Sequence, residues 1–237
     1  DYPIQPLSPT DFPPLLREIP DPPSTLWGQG TMPPPHLHLL AVVGSRQYTS
    51  YGRQVVEHLI TGLAGYPIGI VSGLALGIDS LAHEAALRHH LYTLAVPGSG
   101  LAPAALYPAR HRGLAERICN SGGGLLSEYP PETKAAPWTF PQRNRIMAGL
   151  THATLLIEAA PKSGTLITAR LAADYNRELL VVPGNIFSET SKGVHQFLKL
   201  GATPVTEAID ILYALGIEPT QPRETTPLPT LSPAEQK

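Results

Sequence analysis

The stretch from residue 39 to residue 73 reads LLAVVGSRQYTSYGRQVVEHLITGLAGYPIGIVSG. Two short apolar runs, 39–43 and 68–71, flank a glycine turn and a segment near 50–64 whose apolar residues recur at helical spacing. Neither run alternates cleanly between apolar and polar residues, which is typical of strands that are buried on both faces. The stretch therefore predicts two parallel strands joined by a helix.

The same alternation extends through the middle of the chain. Further strands are predicted near 92–96, 124–127, 153–158 and 179–182, and further helices near 78–90, 111–120, 141–150, 165–176 and 193–200. Repeated alternation with short loops predicts an α/β fold with a doubly wound, mostly parallel sheet and helices on both faces.

The prolines suggest how the chain is organised. Residues 1–35 hold 11 of the 27 prolines, and residues 217–237 hold five more. We expect 1–35 to be an extended segment that packs on the domain, 36–215 to form the domain, and 216–237 to be a flexible linker or tail. The side chains of the first segment that we expect to contact the domain are Leu15, Leu16, Ile19, Leu26 and Trp27.

Composition excludes several classes of protein. No apolar run approaches the length of about 20 residues that spans a bilayer, so we predict no membrane segment and a cytoplasmic protein. The single cysteine, Cys119, excludes an internal disulfide and a cysteine-rich metal site. The histidines are scattered, and the pair of Asp79 and His83, four residues apart, lacks further ligands nearby. We therefore expect neither a metal nor a cofactor.

The charge distribution permits a phosphate-binding centre. The net charge is −2, but residues 36–205 contain 14 Lys and Arg against 10 Asp and Glu. The central region is therefore mildly basic, and the acidity lies in the flanks.

Gly44, Ser45 and Arg46 follow the first apolar run. The carboxyl ends of parallel strands face the binding crevice in such sheets. Glycine lets a ligand approach the backbone, the N-terminus of the following helix favours an anion, and arginine can bind phosphate through two hydrogen bonds. An ordinary strand–helix turn with a surface arginine explains the same residues, and the spacing leaves both interpretations open.

Lys162, Ser163 and Gly164 lie between a strand and a helix in the segment EAAPKSGTLIT, residues 158–168. Free backbone N–H groups, hydroxyls and a lysine ammonium together favour anion binding. The order of residues differs from that of a P-loop, so the segment does not predict ATP hydrolysis.

The segment FPQRNR, residues 140–145, places an aromatic ring beside Gln142, Arg143 and Asn144 at a helix start. Such residues suit a backbone phosphate and a stacked base. We favour a functional Arg143, whereas Phe140 is either a stacking residue or part of the core.

These stretches together resemble the DNA-processing protein A family (DprA, also called Smf) over about residues 20–215. The matching segments are VGSR at 43–46, SGLALGIDSLAH at 72–83, FPQRNRIMAGL at 140–150, EAAPKSGTLITAR at 158–170 and VPGNIF at 182–187. The resemblance implies an extended Rossmann-like domain that binds single-stranded DNA, protects incoming DNA in natural transformation and helps to load the RecA recombinase.

The resemblance also implies a homodimer, which we place in the C-terminal part of the domain, from about Gly193 to Leu215. An apolar helix and the last strand lie there, and a terminal sheet edge has to be covered. The alternative is that these apolar residues complete the core of the monomer.

The DNA-binding residues that the resemblance implies are Gly44, Ser45, Arg46, Gln142, Arg143, Asn144, Lys162, Ser163 and Gly164. The main rival is a nucleotide phosphoribohydrolase-like enzyme, whose pattern P-G-G-x-G-T-x-x-E would place Thr168 at the catalytic glutamate. A site that lacks this carboxylate and has gained a lysine suits phosphate binding better than catalysis, so we predict no enzyme. A small-nucleotide sensor remains a third interpretation.

Overall fold

The computed structural model describes residues 2–219, and its centre is a nine-stranded sheet. The strands are β1 (Gln5–Leu7), β2 (Leu26–Gly30), β3 (His38–Val43), β4 (Ile68–Ser72), β5 (Tyr92–Ala95), β6 (Gly124–Ser127), β7 (Ala153–Leu156), β8 (Glu178–Val181) and β9 (Thr203–Pro204). The helices are α1 (Pro14–Arg17), α2 (Ser50–Gly62), α3 (Ile78–Arg88), α4 (Arg112–Asn120), α5 (Thr139–Leu150), α6 (Thr165–Asp174), α7 (Glu189–Lys199) and α8 (Ala208–Ala214). Most of the predicted tail, 216–237, lies outside the described residues.

The strand order confirms the predicted fold class. It is β1-β2-β6-β5-β4-β3-β7-β8-β9, with parallel pairing from β6 to β9 and antiparallel pairing of β1 with β2 and of β2 with β6. The chain winds outward from β3 in one direction through β4 and β5, and in the other through β7 and β8. The point where the order reverses, between β3 and β7, is where open α/β sheets bind ligands.

The two faces of β3 explain why its sequence lacks alternation. Leu40 and Val42 belong to a core cluster with α2, α3 and α8. Leu39 and Val43 belong to a second cluster with α5, α6 and α7. Both faces of the strand are covered by helices, so both sets of side chains are apolar and buried.

The first 35 residues contribute regular structure that their sequence did not predict. β2 pairs with β6 and extends the sheet, and α1 packs against α5. Leu16, Ile19 and Leu26 are buried, whereas Leu15 and Trp27 are partly exposed. The sheet therefore crosses the boundary expected at residue 35, while the division into domains stays a prediction.

Across residues 2–219, the helices are too short or too polar for any of them to span a membrane.

Candidate functional site

A cavity of about 640 Å³ opens beyond the carboxyl ends of β3 and β7. Most of the predicted DNA-binding residues line it: Gly44, Ser45, Arg46, Arg143, Asn144, Lys162, Ser163 and Gly164. Gln142 is exposed and is not among the lining residues, and its amide contacts the Glu128 carboxylate at 3.4 Å. The fold thus brings together three segments that are far apart in the sequence.

The loop that follows β7 contains the candidate anion-binding turn. Lys162 is exposed, and within residues 2–219 no hydrogen bond satisfies the backbone N–H groups of Lys162 and Gly164. Helix α6 begins at the next residue, Thr165, so the positive end of its dipole faces this turn. The Thr165 hydroxyl donates to the Gly44 carbonyl at 3.0 Å and joins this loop to the loop after β3. The arrangement suits a phosphate group.

The loop that follows β3 presents Arg46 to solvent. Its guanidinium lies over the ring of Phe140, 5.1 Å from the centroid, and in the described part of the chain it has no carboxylate partner. Phe140 is partly exposed and lines the cavity, so its ring is accessible from the site. Gly77 has φ of +88°, and a Cβ atom there would collide with the Ser45 carbonyl. Glycine at this position lets the loop before α3 pack directly against Ser45 and Arg46.

The N-terminus of α2 is occupied by a carboxylate of the protein itself. Thr49 caps the helix, and Glu158 accepts hydrogen bonds from the Thr49 N–H at 2.9 Å and the Thr49 hydroxyl at 2.6 Å. Thr190, in the first turn of α7, donates its hydroxyl to the same carboxylate at 3.1 Å. An internal carboxylate thus already engages the N-cap of this helix, and anion binding by the turn before it stays a prediction. A carboxylate directly after a buried strand was the signal for this structural role.

Arg143 lies beneath the cavity rather than at its mouth. It is only 5% exposed, and its Nη1 donates to the carbonyls of Gly73, at 2.7 Å, and Val96. Its Nε donates to the Asn144 side chain at 3.2 Å. Burial lowers the pKa of the Arg143 guanidinium. The protein thus uses these donors to hold two strand-end loops together, and a direct phosphate contact by Arg143 stays a prediction.

Arg145, two residues further along α5, points in a different direction. It pairs with the carboxylates of Glu128 and Asp21 on another side of the helix. Arg143 and Arg145 therefore face different sides of α5.

Asp79 and His83 have separate partners. Asp79 is buried in the cavity floor and accepts the Gly73 N–H at 3.1 Å. Burial raises the pKa of Asp79, and Arg143 opposes this shift. The His83 Nδ1 contacts the Thr93 hydroxyl at 2.7 Å, and burial lowers the pKa of His83 to about 3. Within residues 2–219, no cluster of three or more His, Cys, Asp or Glu side chains is arranged to hold a metal.

Known proteins resemble this chain in both sequence and structure. The chain is 41% identical over 204 residues to Protein Smf of Escherichia coli (strain K12). The matched region covers 86% of this chain and 54% of that protein. It matches DNA processing protein A (DprA) from Streptococcus pneumoniae with a TM-score of 0.82 and 38% identity, over 89% of this chain and 74% of that one. It also matches DNA processing protein A from Helicobacter pylori, a structure that concerns the single-stranded DNA binding mode of that protein. The TM-score is 0.78 at 28% identity, over 90% of this chain and 95% of that one.

The family model described as DNA recombination-mediator protein A matches residues 5–216. This range includes the N-terminal strands, the switch point of the sheet and all three loops of the candidate site. The match extends over nearly all the described residues and confirms the resemblance drawn from the motifs. The chain belongs to the DNA recombination-mediator protein A family.

Proposed function

We propose that this domain binds single-stranded DNA in the cavity at the switch point, without strong sequence preference. The observation that carries the proposal is the pair of exposed cations, Arg46 and Lys162, beside the unsatisfied N–H groups at the start of α6. Arg46 would bind one phosphate bidentately, and Lys162 would add a point charge supported by the helix dipole. The H. pylori relative, whose structure concerns single-stranded DNA binding, supports the proposal.

The remaining predicted residues have supporting roles in this proposal. Gly44, Ser45, Ser163 and Gly164 would bring backbone and hydroxyl groups close to phosphate. Asn144 would set the position of the Gly164 carbonyl, which its amide contacts at 3.4 Å. Gln142 would contact DNA only where the strand leaves the cavity.

We also propose that the whole protein acts as a recombination mediator during natural transformation. It would protect incoming DNA, help to load RecA recombinase onto it in the cytoplasm, and act as a homodimer. The chain spans 54% of the length of its E. coli relative, so these activities concern the whole protein. The RecA role is tested by whether the protein speeds RecA filament formation on single-stranded DNA already coated by a single-strand-binding protein.

The residues of the cavity support the phosphoribohydrolase-like hypothesis less well than they support DNA binding. Thr168, at the position of the catalytic glutamate in the rival pattern, is buried in the cavity wall. Among the described residues that line the cavity, the carboxylate present is Asp79, which is engaged by a backbone N–H. We therefore propose a binding protein rather than an enzyme. Ribose release from AMP would contradict this proposal.

The decisive experiment compares oligonucleotide binding by Arg46→Ala, Lys162→Ala and the double variant. Each single change should cost about 1–3 kcal/mol of binding free energy, the scale of charge-assisted hydrogen bonds. The double change should nearly abolish binding and leave the melting temperature unchanged, because both side chains are exposed. For roughly three phosphate contacts, log affinity should fall with log salt at a slope of about −2.

Arg17→Ala serves as the control, because Arg17 is an exposed arginine on α1 and does not line the cavity. Full affinity in the double variant would place the DNA site elsewhere.

A further inference from the structure

A narrow cleft continues from the candidate site toward the loop that follows β5. It shares Arg46, Ala75 and Phe140 with the main cavity, and Tyr107 and Pro108 form its far side. Tyr107 is 45% exposed and belongs to none of the three apolar core clusters of the described residues. The core therefore does not account for this ring.

Phe140 fixes the geometry of the cleft. The Arg46 guanidinium lies 5.1 Å from its ring centroid, and the Tyr107 ring meets it edge-on, with centroids 5.7 Å apart and an interplanar angle of 60°. A Cβ atom at Gly98 would come within 2.6 Å of the Phe140 ring, so the backbone after β5 packs directly against it. One held ring thus orients both the arginine and the exposed tyrosine.

The surroundings of Tyr107 suit nucleic acid. Within residues 2–219 its hydroxyl has no hydrogen-bond partner, which leaves both the ring and its polar tip available. Arg110, three residues further on, is exposed and takes part in no ion pair of the described chain. Proteins that bind single strands combine a cationic backbone track with aromatic rings on which bases stack.

We propose that Tyr107 is a base-stacking residue for the nucleotide next to the phosphate held by Arg46. Phe140 is then a positioning residue that holds Tyr107 and Arg46 at the right separation. This inference rests on the proposed function, because it needs a DNA strand in the cavity. It extends the binding path from the β3 and β7 loops across β4 to the β5 loop.

The test measures two affinities for each protein. One ligand is a single-stranded oligodeoxynucleotide, and the other is an abasic deoxyribose–phosphate chain of the same length. Tyr107→Ala should weaken binding of the oligonucleotide by about 5- to 150-fold, the range expected for one stacked base. It should leave binding of the abasic chain and the salt dependence unchanged, because no phosphate contact is lost.

Three further variants make the test specific. Tyr107→Phe keeps the ring and should bind the oligonucleotide within about twofold of the wild type. Phe140→Leu should lower the ratio of oligonucleotide to abasic affinity in the same direction as Tyr107→Ala. Tyr2→Ala removes a tyrosine of similar exposure that does not line the cleft, and it should have no effect.

The outcomes separate this inference from the function on which it rests. If the wild type binds both ligands in a salt-dependent manner but Tyr107→Ala binds the oligonucleotide equally well, the stacking role is overturned and the DNA site stands. An equal loss for both ligands also overturns stacking. If the wild type binds neither ligand, the proposed function fails and the inference fails with it.

Discussion

Arg143 is a single side chain on which the shape of the site depends. Replacing it with methionine removes the donors that bind the Gly73 and Val96 carbonyls. Each buried acceptor left unpaired costs about 1–3 kcal/mol, so Arg143→Met should lower the free energy of unfolding by several kcal/mol. Urea denaturation measures this, with Arg46→Ala as the control that stays within about 0.5 kcal/mol of the wild type. Unchanged stability with lost DNA binding would instead make Arg143 a direct ligand.

His83 makes stability depend on pH. Burial lowers its folded-state pKa to about 3, below the ordinary value of 6.5, so the unfolded chain gains a proton first as pH falls. Stability is therefore lost between about pH 6.5 and pH 3, by up to about 1.4 kcal/mol per pH unit for this one group. His83→Gln, which cannot titrate, should lose less stability than the wild type between pH 6.5 and pH 4. Urea midpoints over this range measure the difference, and parallel curves would contradict the prediction.

At the scale of elements, Glu158 joins two helices to the end of β7. Its carboxylate accepts from Thr49, the N-cap of α2, and from Thr190 in the first turn of α7. In Glu158→Gln one acceptor becomes an NH₂ group that faces these donors, so we expect a loss of about 1–3 kcal/mol in unfolding free energy. Hydrogen exchange should quicken at the Thr49 amide before it does so in the central strands. The control is Glu116→Gln on the exposed surface. Equal exchange in both variants would show that Glu158 does not link these helices.

The elements differ in how well their sequences predict them. β3, β4 and β7 were predictable because a strand covered by helices on both faces must be continuously apolar. β1 and β2 were not, because β2 is held by β6 about 100 residues further along and its own residues include two glycines. A short edge pairing of this kind leaves little pattern in the local sequence.

The residues of the candidate site also differ in how well the sequence predicts their position. Lys162 was predictable because a lysine and a glycine between a strand and a helix lie at the binding edge of such a sheet. The burial of Arg143 was not, because it depends on carbonyls from two other strand ends that meet it only in the folded chain. Residue type and local spacing therefore point to the candidate site, whereas tertiary contacts decide which of its side chains remain exposed.

At the scale of the whole molecule, the sheet places the loops of the candidate site and its last strand in different positions. The loops gather at the carboxyl ends of the central strands, while β9 forms one edge of the sheet in the described chain and β1 forms the other. Part of the predicted dimer segment completes the monomer core, since Val194, Phe197, Ile211 and Leu212 are buried. The proposed contact therefore rests on the apolar side chains around β9 that remain exposed.

Two of these exposed side chains give the test of the homodimer. Leu200, after α7, is 80% exposed, and Tyr213, on α8, is 65% exposed, on either side of β9 in the sequence. Placing carboxylates at both positions would bury charge in a contact between copies, so Leu200→Glu with Tyr213→Glu should weaken dimerisation at least about tenfold. Sedimentation velocity at micromolar concentration should show a dimer for the wild type and a species near 25.4 kDa for the double variant. Unfolding free energy should change little, because neither side chain is in the core.

The control Tyr2→Glu, at the other end of the sheet, should remain dimeric. A wild type that sediments only as the monomer would contradict the dimer, and an unchanged dimer in the double variant would place its interface on another surface.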